Sequence, residues 1–334
     1  MKNVLCILKA AVILSLFCPV ASMAKEVTLT YSTFFPPTHI QAITSDNWCK
    51  EVEKRTEGRV KVQFFPGQTL TRAPQTYEAV TDGIADIGVA AVAYTQGRFP
   101  VMAAMDLPMG YPSGVAATRA ANALFAKMQP AEFKDTKVMY FHAHGPAYIH
   151  TSKAPVKKLE DIKGLRIRST GMSAKVVTAL GGTPVSMAMP DTYQALQRGV
   201  VDGSFHPMET DKGWNMGEVV HYATIANSIT YTTLFYVTMN KNKWDSISPE
   251  DQNIIAEINQ EWSVKHGEAW DSSDAEGTEF FKAKGGTMIT LDQAEEQRWQ
   301  EAVKPVVDEY IGELDKQQVN GREVIDFIKE EISR

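Results

Sequence analysis

An α/β fold of two similar lobes, bridged by one long helix, is the class this 334-residue sequence predicts. Three observations carry that reading. A strand–helix–strand–helix–strand order occurs twice along the chain. The last joints of the two runs match, "AVTDGIADIG" (79–88) against "ALQRGVVDGS" (195–204), with alanine, glycine and aspartate in register. Finally, helical periodicity runs without a break from Ser248 to about Ala283. Strands alternating with helical segments imply parallel sheets covered by helices.

The elements follow in order. Val27, Leu29 and Tyr31 alternate with polar residues, the period of a strand. The loop Phe34-Phe35-Pro36-Pro37 leads into a helix with Ile40, Ile43 and Val52 on one face. Val60, Val62 and Phe64 form a second strand closed by Pro66-Gly67. A helix from about Pro74 stops at Gly83, and Ile84-Ala85-Asp86-Ile87 opens a third strand. The order then restarts at Gly164. A strand over Leu165–Arg168 enters a helix with Met172, Val176, Val177 and Leu180, which Gly181-Gly182 terminates. Pro184-Val185 begins a short strand, and a helix over Thr192–Arg198 ends at Gly199. In the tail, Ser248 is the N-cap, Pro249 the first helical residue, and Glu250 and Asp251 the acids of the first turn. Ile254, Ile255, Ile258 and Trp262 then share a face. Residues 25–147 with 232–273 are assigned to the first lobe, and 148–231 with 274–334 to the second.

The N-terminus sets the compartment. Lys2 and Lys9 flank the start of an apolar run over Ala10–Phe17, followed by Pro19 and Ser22-Met23-Ala24. This reads as a secretory signal peptide cleaved after Ala24, because the run is too short to span a bilayer. A lipidated Cys18 is disfavoured, since Phe17 stands where a small residue is needed. Cleavage leaves 310 residues, and losing the two lysines takes the formal charge from −6 to −8. Cys49 is then the sole cysteine, so the exported chain depends on a large core rather than on disulfides. A mildly acidic, mixed surface argues against nucleic acid.

Catalytic signatures are scarce. The sequence has no G-x-S-x-G elbow, no G-x-x-x-x-G-K-[ST] loop and no H-E-x-x-H pair. Cys49 sits in a helical segment and reads as a core thiol. His142 and His144 share a strand face with His150 nearby, but no third ligand type completes a metal set, and they read as polar residues near a strand end. Arg168 differs by its address. It is the last residue of its strand, Ser169-Thr170-Gly171 turn into a helix, and ligands of open α/β sheets sit at that end, near free helical N–H groups. A guanidinium fork there can hold a carboxylate through two parallel hydrogen bonds. Position alone leaves two readings open for Arg168, a ligand anchor or a solvated charge, whereas Arg166 reads as the latter.

The phrases "TEGRVKVQFFPGQTL", "DGIADIGVA", "LEDIKGLRIRS", "GVVDGSFHPMET" and "FYVTMNKNKWDSISPEDQ" come in an order that closely resembles the DctP-type extracytoplasmic receptors of TRAP (tripartite ATP-independent periplasmic) transporters. The resemblance spans essentially the whole chain after the leader. It implies a type II periplasmic-binding-protein-like fold, whose lobes close over a central cleft on an organic acid. It also implies delivery of that acid to small and large membrane subunits driven by an ion gradient. The family's strand arginine, which binds the substrate carboxylate, falls on Arg168. Many relatives continue "VDG" with Glu-Asn-Pro, where this chain has Phe205, His206 and Pro207. A second arginine common in sugar-acid and dicarboxylate receptors is absent from Gly145-Pro146-Ala147-Tyr148. An aromatic often found above the ligand is replaced by Met189.

The expected ligand contacts are therefore Arg168, Phe205, His206, Met189, Phe34, Phe35, His39, Tyr94 and Ala147, with no metal and no cofactor. The expectation is a monomeric, non-enzymatic receptor for a monocarboxylate with an apolar or aromatic body. The rivals are a receptor of the same type for a dicarboxylate or sugar acid, and an exported hydrolase, for which no nucleophile–base pair is visible.

Overall fold

The computed structural model describes residues 26–334, so the leader and its cleavage site lie outside the described residues. Five strands form the first sheet: β1 (Val27–Thr33), β2 (Val60–Phe65), β3 (Ile87–Ala91), β4 (Thr136–Ala143) and, much later in the chain, β10 (Leu234–Asn240). Their order is β2-β1-β3-β10-β4, with β1 parallel to β2 and β3, and β10 antiparallel to its neighbours. Every residue of β3 is buried, as befits a central strand covered on both faces. The covering helices include α1 (Ile40–Arg55), α2 (Thr76–Thr81) and α3 (Gly114–Met128).

The second sheet contains β5 (Ala147–Thr151), β6 (Arg166–Ser169), β7 (Thr183–Ser186), β8 (Gly203–Pro207), β9 (Tyr222–Ile225) and β11 (Thr287–Thr290), in the order β11-β9-β5-β8-β6-β7. Helices α4 (Gly171–Ala179), α5 (Met189–Gln197) and α6 (Glu209–Gly213) belong to the same stretch of chain. The chain crosses between sheets at residues 143–147 and again at 225–234. The two crossings are stitched together, since Ala147 N donates to Tyr231 O at 3.1 Å.

After the short α7 (Lys241–Asp245), α8 (Pro249–Ala283) ties the lobes together. At 35 residues it is about 50 Å long. Its start is set as the sequence predicts: Asp251 N donates to Ser248 Oγ at 3.1 Å, with Pro249 in the first turn. Trp262 Nε1 donates to Thr44 O, and Trp48 Nε1 to Asn259 Oδ1, which fastens α8 to α1. Farther along, Asp271 accepts from Gly114 N at the head of α3, and Asp274 accepts from Glu209 N at the head of α6. One helix therefore caps a helix of each lobe. Gly277 is required where α8 lies on the second lobe, because a Cβ there would stand 2.0 Å from Met208 O.

Three expectations shift. The third strand begins at Ile87 rather than Ile84, because the Ile84 and Ala85 amides bond back to Ala79 O and hold the helix end closed. Helix α5 starts at Met189 rather than Thr192, with Pro190 in its first turn. The tail is shared rather than wholly on the second lobe. Helix α9 (Gln293–Lys316) packs on α4, but α10 (Gly321–Ile332) returns to α3, where Arg119 Nη2 donates to Glu331 O at 2.7 Å.

Candidate ligand-binding site

A small cleft opens where the carboxyl ends of β6 and β8 face the loops after β1 and β3. The space between its lining residues is about 370 Å³, including the part open to solvent. The wall takes Phe34, Phe35 and Tyr94 from the first lobe, and Arg168, Met189, His206 and Glu209 from the second. Tyr231 and Phe235 come from the returning segment, and Trp270 from α8.

Arg168 sits at the mouth-facing end of β6, paired with Ser204 of β8 and Val185 of β7. It is 3% exposed, and its Nε donates to Met187 O at 3.1 Å. Among the described residues no carboxylate lies within ion-pairing distance of it. A buried guanidinium in that state is costly unless an anion joins it. The neighbouring titratable groups do not supply one. Burial holds the His144 imidazole down to about 4 and that of His206 down to about 3, and raises the Tyr231 phenol to about 12. The Tyr94 phenol is raised by burial, and the nearby Arg168 charge offsets part of that rise. Its hydroxyl oxygen accepts from Met189 N at 3.1 Å, a contact between the lobes. His144 is locked as well: Nδ1 donates to Gly145 O, so Nε2 accepts from Thr233 N at 2.9 Å.

The rest of the wall is aromatic. Phe34 lies 4.2 Å from Phe35, edge-on to Tyr94 at 5.6 Å, and stacked with Trp214 at 6.1 Å and Phe235 at 6.2 Å. Phe235 stacks on Trp270 at 5.4 Å. In the same lining, Glu209 opens α6, and its Oε2 is 3.0 Å from Nε2 of His39 in the other lobe. The lobes also touch at Gly171, whose φ of +50° suits glycine and where a Cβ would meet the Ala93 Cβ at 2.9 Å. The lining thus brings together one guanidinium, one carboxylate and a set of aromatic rings.

Residues 31–313 match the family described as bacterial extracellular solute-binding protein, family 7 (DctP). The chain belongs to that family. Its members are substrate-binding receptors that serve transporters and work in the periplasm. The receptor is 27% identical over 319 residues to the C4-dicarboxylate-binding periplasmic protein DctP of Rhodobacter capsulatus, covering 92% of this chain and 93% of that one. It is 34% identical to a TRAP periplasmic solute-binding protein of Desulfovibrio salexigens, with a TM-score of 0.81 over 92% of this chain and 96% of that one. A TRAP solute-binding protein of Rhodoferax ferrireducens, solved with copurified benzoate, is 28% identical with a TM-score of 0.87 over 92% and 98% of the two chains.

Six of the nine residues read from the sequence as contacts line the receptor's cavity: Arg168, Met189, His206, Phe34, Phe35 and Tyr94. Three do not. Phe205 is 1% exposed in the core, its ring 4.5 Å from Tyr231. Strand alternation explains this: Phe205 pairs with Ile149 and shares its apolar face, so it points away from the face that carries His206. Ala147 is buried at the crossing between lobes, pairing with Pro207 and bonded through its amide to Tyr231 O. His39 stands behind the wall, reaching it through Glu209. Glu209, Trp214, Tyr231, Phe235, Trp270 and His144 line the cavity without having been singled out as contacts.

The histidines also differ from expectation. His142 is fully buried, accepting from Trp270 Nε1 at 3.0 Å and stacked on His266 at 4.4 Å. Among the described residues, His150, His206 and Asp211 form a buried trio close enough to hold a metal ion. The two imidazoles are stacked 3.9 Å apart at 15°, and their Nε2 atoms face the Asp211 carboxylate at 3.2 Å from His150 and 3.7 Å from His206. Burial pushes the Asp211 carboxyl up, but His150 and His206 outweigh it and hold it below the ordinary value.

Proposed function

We propose that this receptor captures a monocarboxylic acid with an aromatic body and delivers it, as a monomer, to the membrane subunits of a TRAP transporter. One observation carries the reading: a buried guanidinium without a carboxylate partner faces a small cavity walled by rings. Arg168 is the one lysine or arginine among the described lining residues, and the Glu209 carboxylate in the same lining disfavours a second ligand carboxylate. Each hydroxyl that a hydroxyl-rich acid laid against Phe34, Phe235 or Trp270, rather than toward the polar lining residues, would cost ~1–3 kcal/mol. Stacking rewards an aryl acid, by ~0.5–1.5 kcal/mol per ring pair beyond area burial. The benzoate-containing relative and the relative named for C4-dicarboxylates are nearly equal in identity to this chain, at 28% and 27%, so the cavity rather than identity favours the first.

A competition panel measured by thermal shift tests the proposal, using benzoate and phenylacetate against succinate, malate and glucuronate. The expected result is stabilisation by the aromatic acids, no chemical change in any ligand after incubation, and a smaller radius of gyration in the complex. Submicromolar binding of succinate or glucuronate without any response to aromatic acids would overturn the substrate class. Product formation would favour the hydrolase rival.

A further inference from the structure

We infer that the cavity has a second polar subsite opposite Arg168, where Glu209 accepts a hydrogen bond from a hydroxyl or amino group carried on the ligand's ring. The inference rests on the aromatic-acid reading above and specifies it. Glu209 is 3% exposed and lines the cavity directly after β8. Its Oε1 accepts from the Thr210 hydroxyl at 3.0 Å. Its Oε2 lies 3.0 Å from His39 Nε2, but off the hydrogen-bond axis, and is buried without a formed hydrogen bond.

The tautomer of His39 follows from its other nitrogen. Gln41 N donates to Nδ1 at 3.2 Å, so Nδ1 acts as an acceptor and the neutral ring carries its proton on Nε2, beside Glu209. One off-axis N–H and one hydroxyl leave most of the carboxylate's acceptor capacity unused. Among the described residues no lysine or arginine comes within ion-pairing distance of it. The close approach of Glu209 to His39 needs glycine at position 213, since a Cβ there would stand 2.8 Å from Glu209 Oε2 and 3.0 Å from His39 Nε2.

The two charged ends are joined by rings. Phe34 meets Tyr94 on the Arg168 side and Trp214 on the Glu209 side, and Trp214 in turn packs on His39. A flat acid lying along Phe34 therefore directs its carboxylate to the guanidinium and its far edge to Glu209. A bare ring leaves that acceptor buried and unpaired. Sites built around such a hydrogen bond discriminate strongly against ligands that lack the donor.

Calorimetric titration of the full-length mature protein with benzoate, 3- and 4-hydroxybenzoate, and 3- and 4-aminobenzoate decides the matter. At least one hydroxy or amino acid should bind about tenfold or more tighter than benzoate, and the hydroxy and amino arms identify which donor is preferred. In Glu209→Gln that advantage should fall to about threefold or less. Benzoate binding as tightly as all four substituted acids would overturn the subsite and leave the aromatic reading standing. So would an undiminished advantage in the variant. No binding by any of the five would overturn the aromatic reading together with the subsite.

Discussion

Arg166 and Arg168 stand two residues apart on the same face of β6, yet their surroundings are opposite. The Arg166 side chain is 46% exposed and forked onto Asp202, with Nη2 3.0 Å from Oδ1 and Nε 3.1 Å from Oδ2. Arg168 is 3% exposed and bonds through Nε to a backbone carbonyl, with no carboxylate beside it. The strand is the same, and so is the side chain. What differs is the end of the strand, since the carboxyl end is covered by the other lobe and the amino end is not. The lesson is that a strand arginine becomes a binding group by where the second lobe encloses it, and by what that lobe withholds.

The largest expected effect breaks that contrast at its buried member. Arg168→Met should weaken binding of an aromatic acid by a hundredfold or more, as an order of magnitude for removing one partner of a buried charge pair. The unliganded variant should melt at or above the wild-type temperature, because the desolvated guanidinium is gone; a calorimetric scan and a titration check both parts. Arg168→Lys should lose about tenfold or more, since a point charge cannot replace the planar fork. A lysine variant binding like wild type would refute the two-bond geometry.

A smaller effect concerns the acid nearest the turn after Arg168. Asp106 accepts from Leu234 N at 2.8 Å, and its other oxygen faces the position a Gly171 Cβ would take, at 3.7 Å. Burial pushes its carboxyl up to about 8, so near neutral pH it carries its proton and is no counter-ion for Arg168. The unfolded carboxyl loses that proton near pH 4, so the folded state binds more protons between there and about pH 8. Stability should therefore fall as pH rises through that window and level off above it. Asp106→Asn keeps the acceptor for Leu234 and should flatten the slope in denaturant titrations across the window.

The smallest effect is at the exposed arginine. Arg166→Ala should change affinity less than about twofold and leave stability nearly unchanged, as for a solvent-screened pair. Hydrogen bonds from Arg166 hold the Asp202 carboxyl below its ordinary value. Their contribution is present above that ordinary value and fades as pH falls through the lowered one. The difference between wild type and variant should thus vanish in acid.

Much of this was legible because it depends on local pattern. The start of α8 follows from Ser248, Pro249 and the acids of its first turn, and Arg168 stands one residue before the end of a strand that turns into a helix, a position that singles it out without deciding between anchor and solvated charge. The cavity's far end was not legible. Glu209, Trp214, Phe235 and Trp270 arrive from a helix start, a returning strand and a bridging helix, and only tertiary packing brings them together. Phe205 marks a signal that could have been read. Adjacent residues of a strand face opposite sides, so Phe205 and His206 could not both line the cleft from β8. His39 was placed near the site for a reason the sequence did not contain, its approach to Glu209 across the lobes.

A crystal structure of the receptor with an aromatic monocarboxylate bound tests the central claim most directly. Both carboxylate oxygens should lie at about 2.7–2.9 Å from the Arg168 guanidinium in a fork, with the ring lying along Phe34. A ligand whose carboxylate meets another group, with Arg168 left to water or turned out of the cleft, would contradict it.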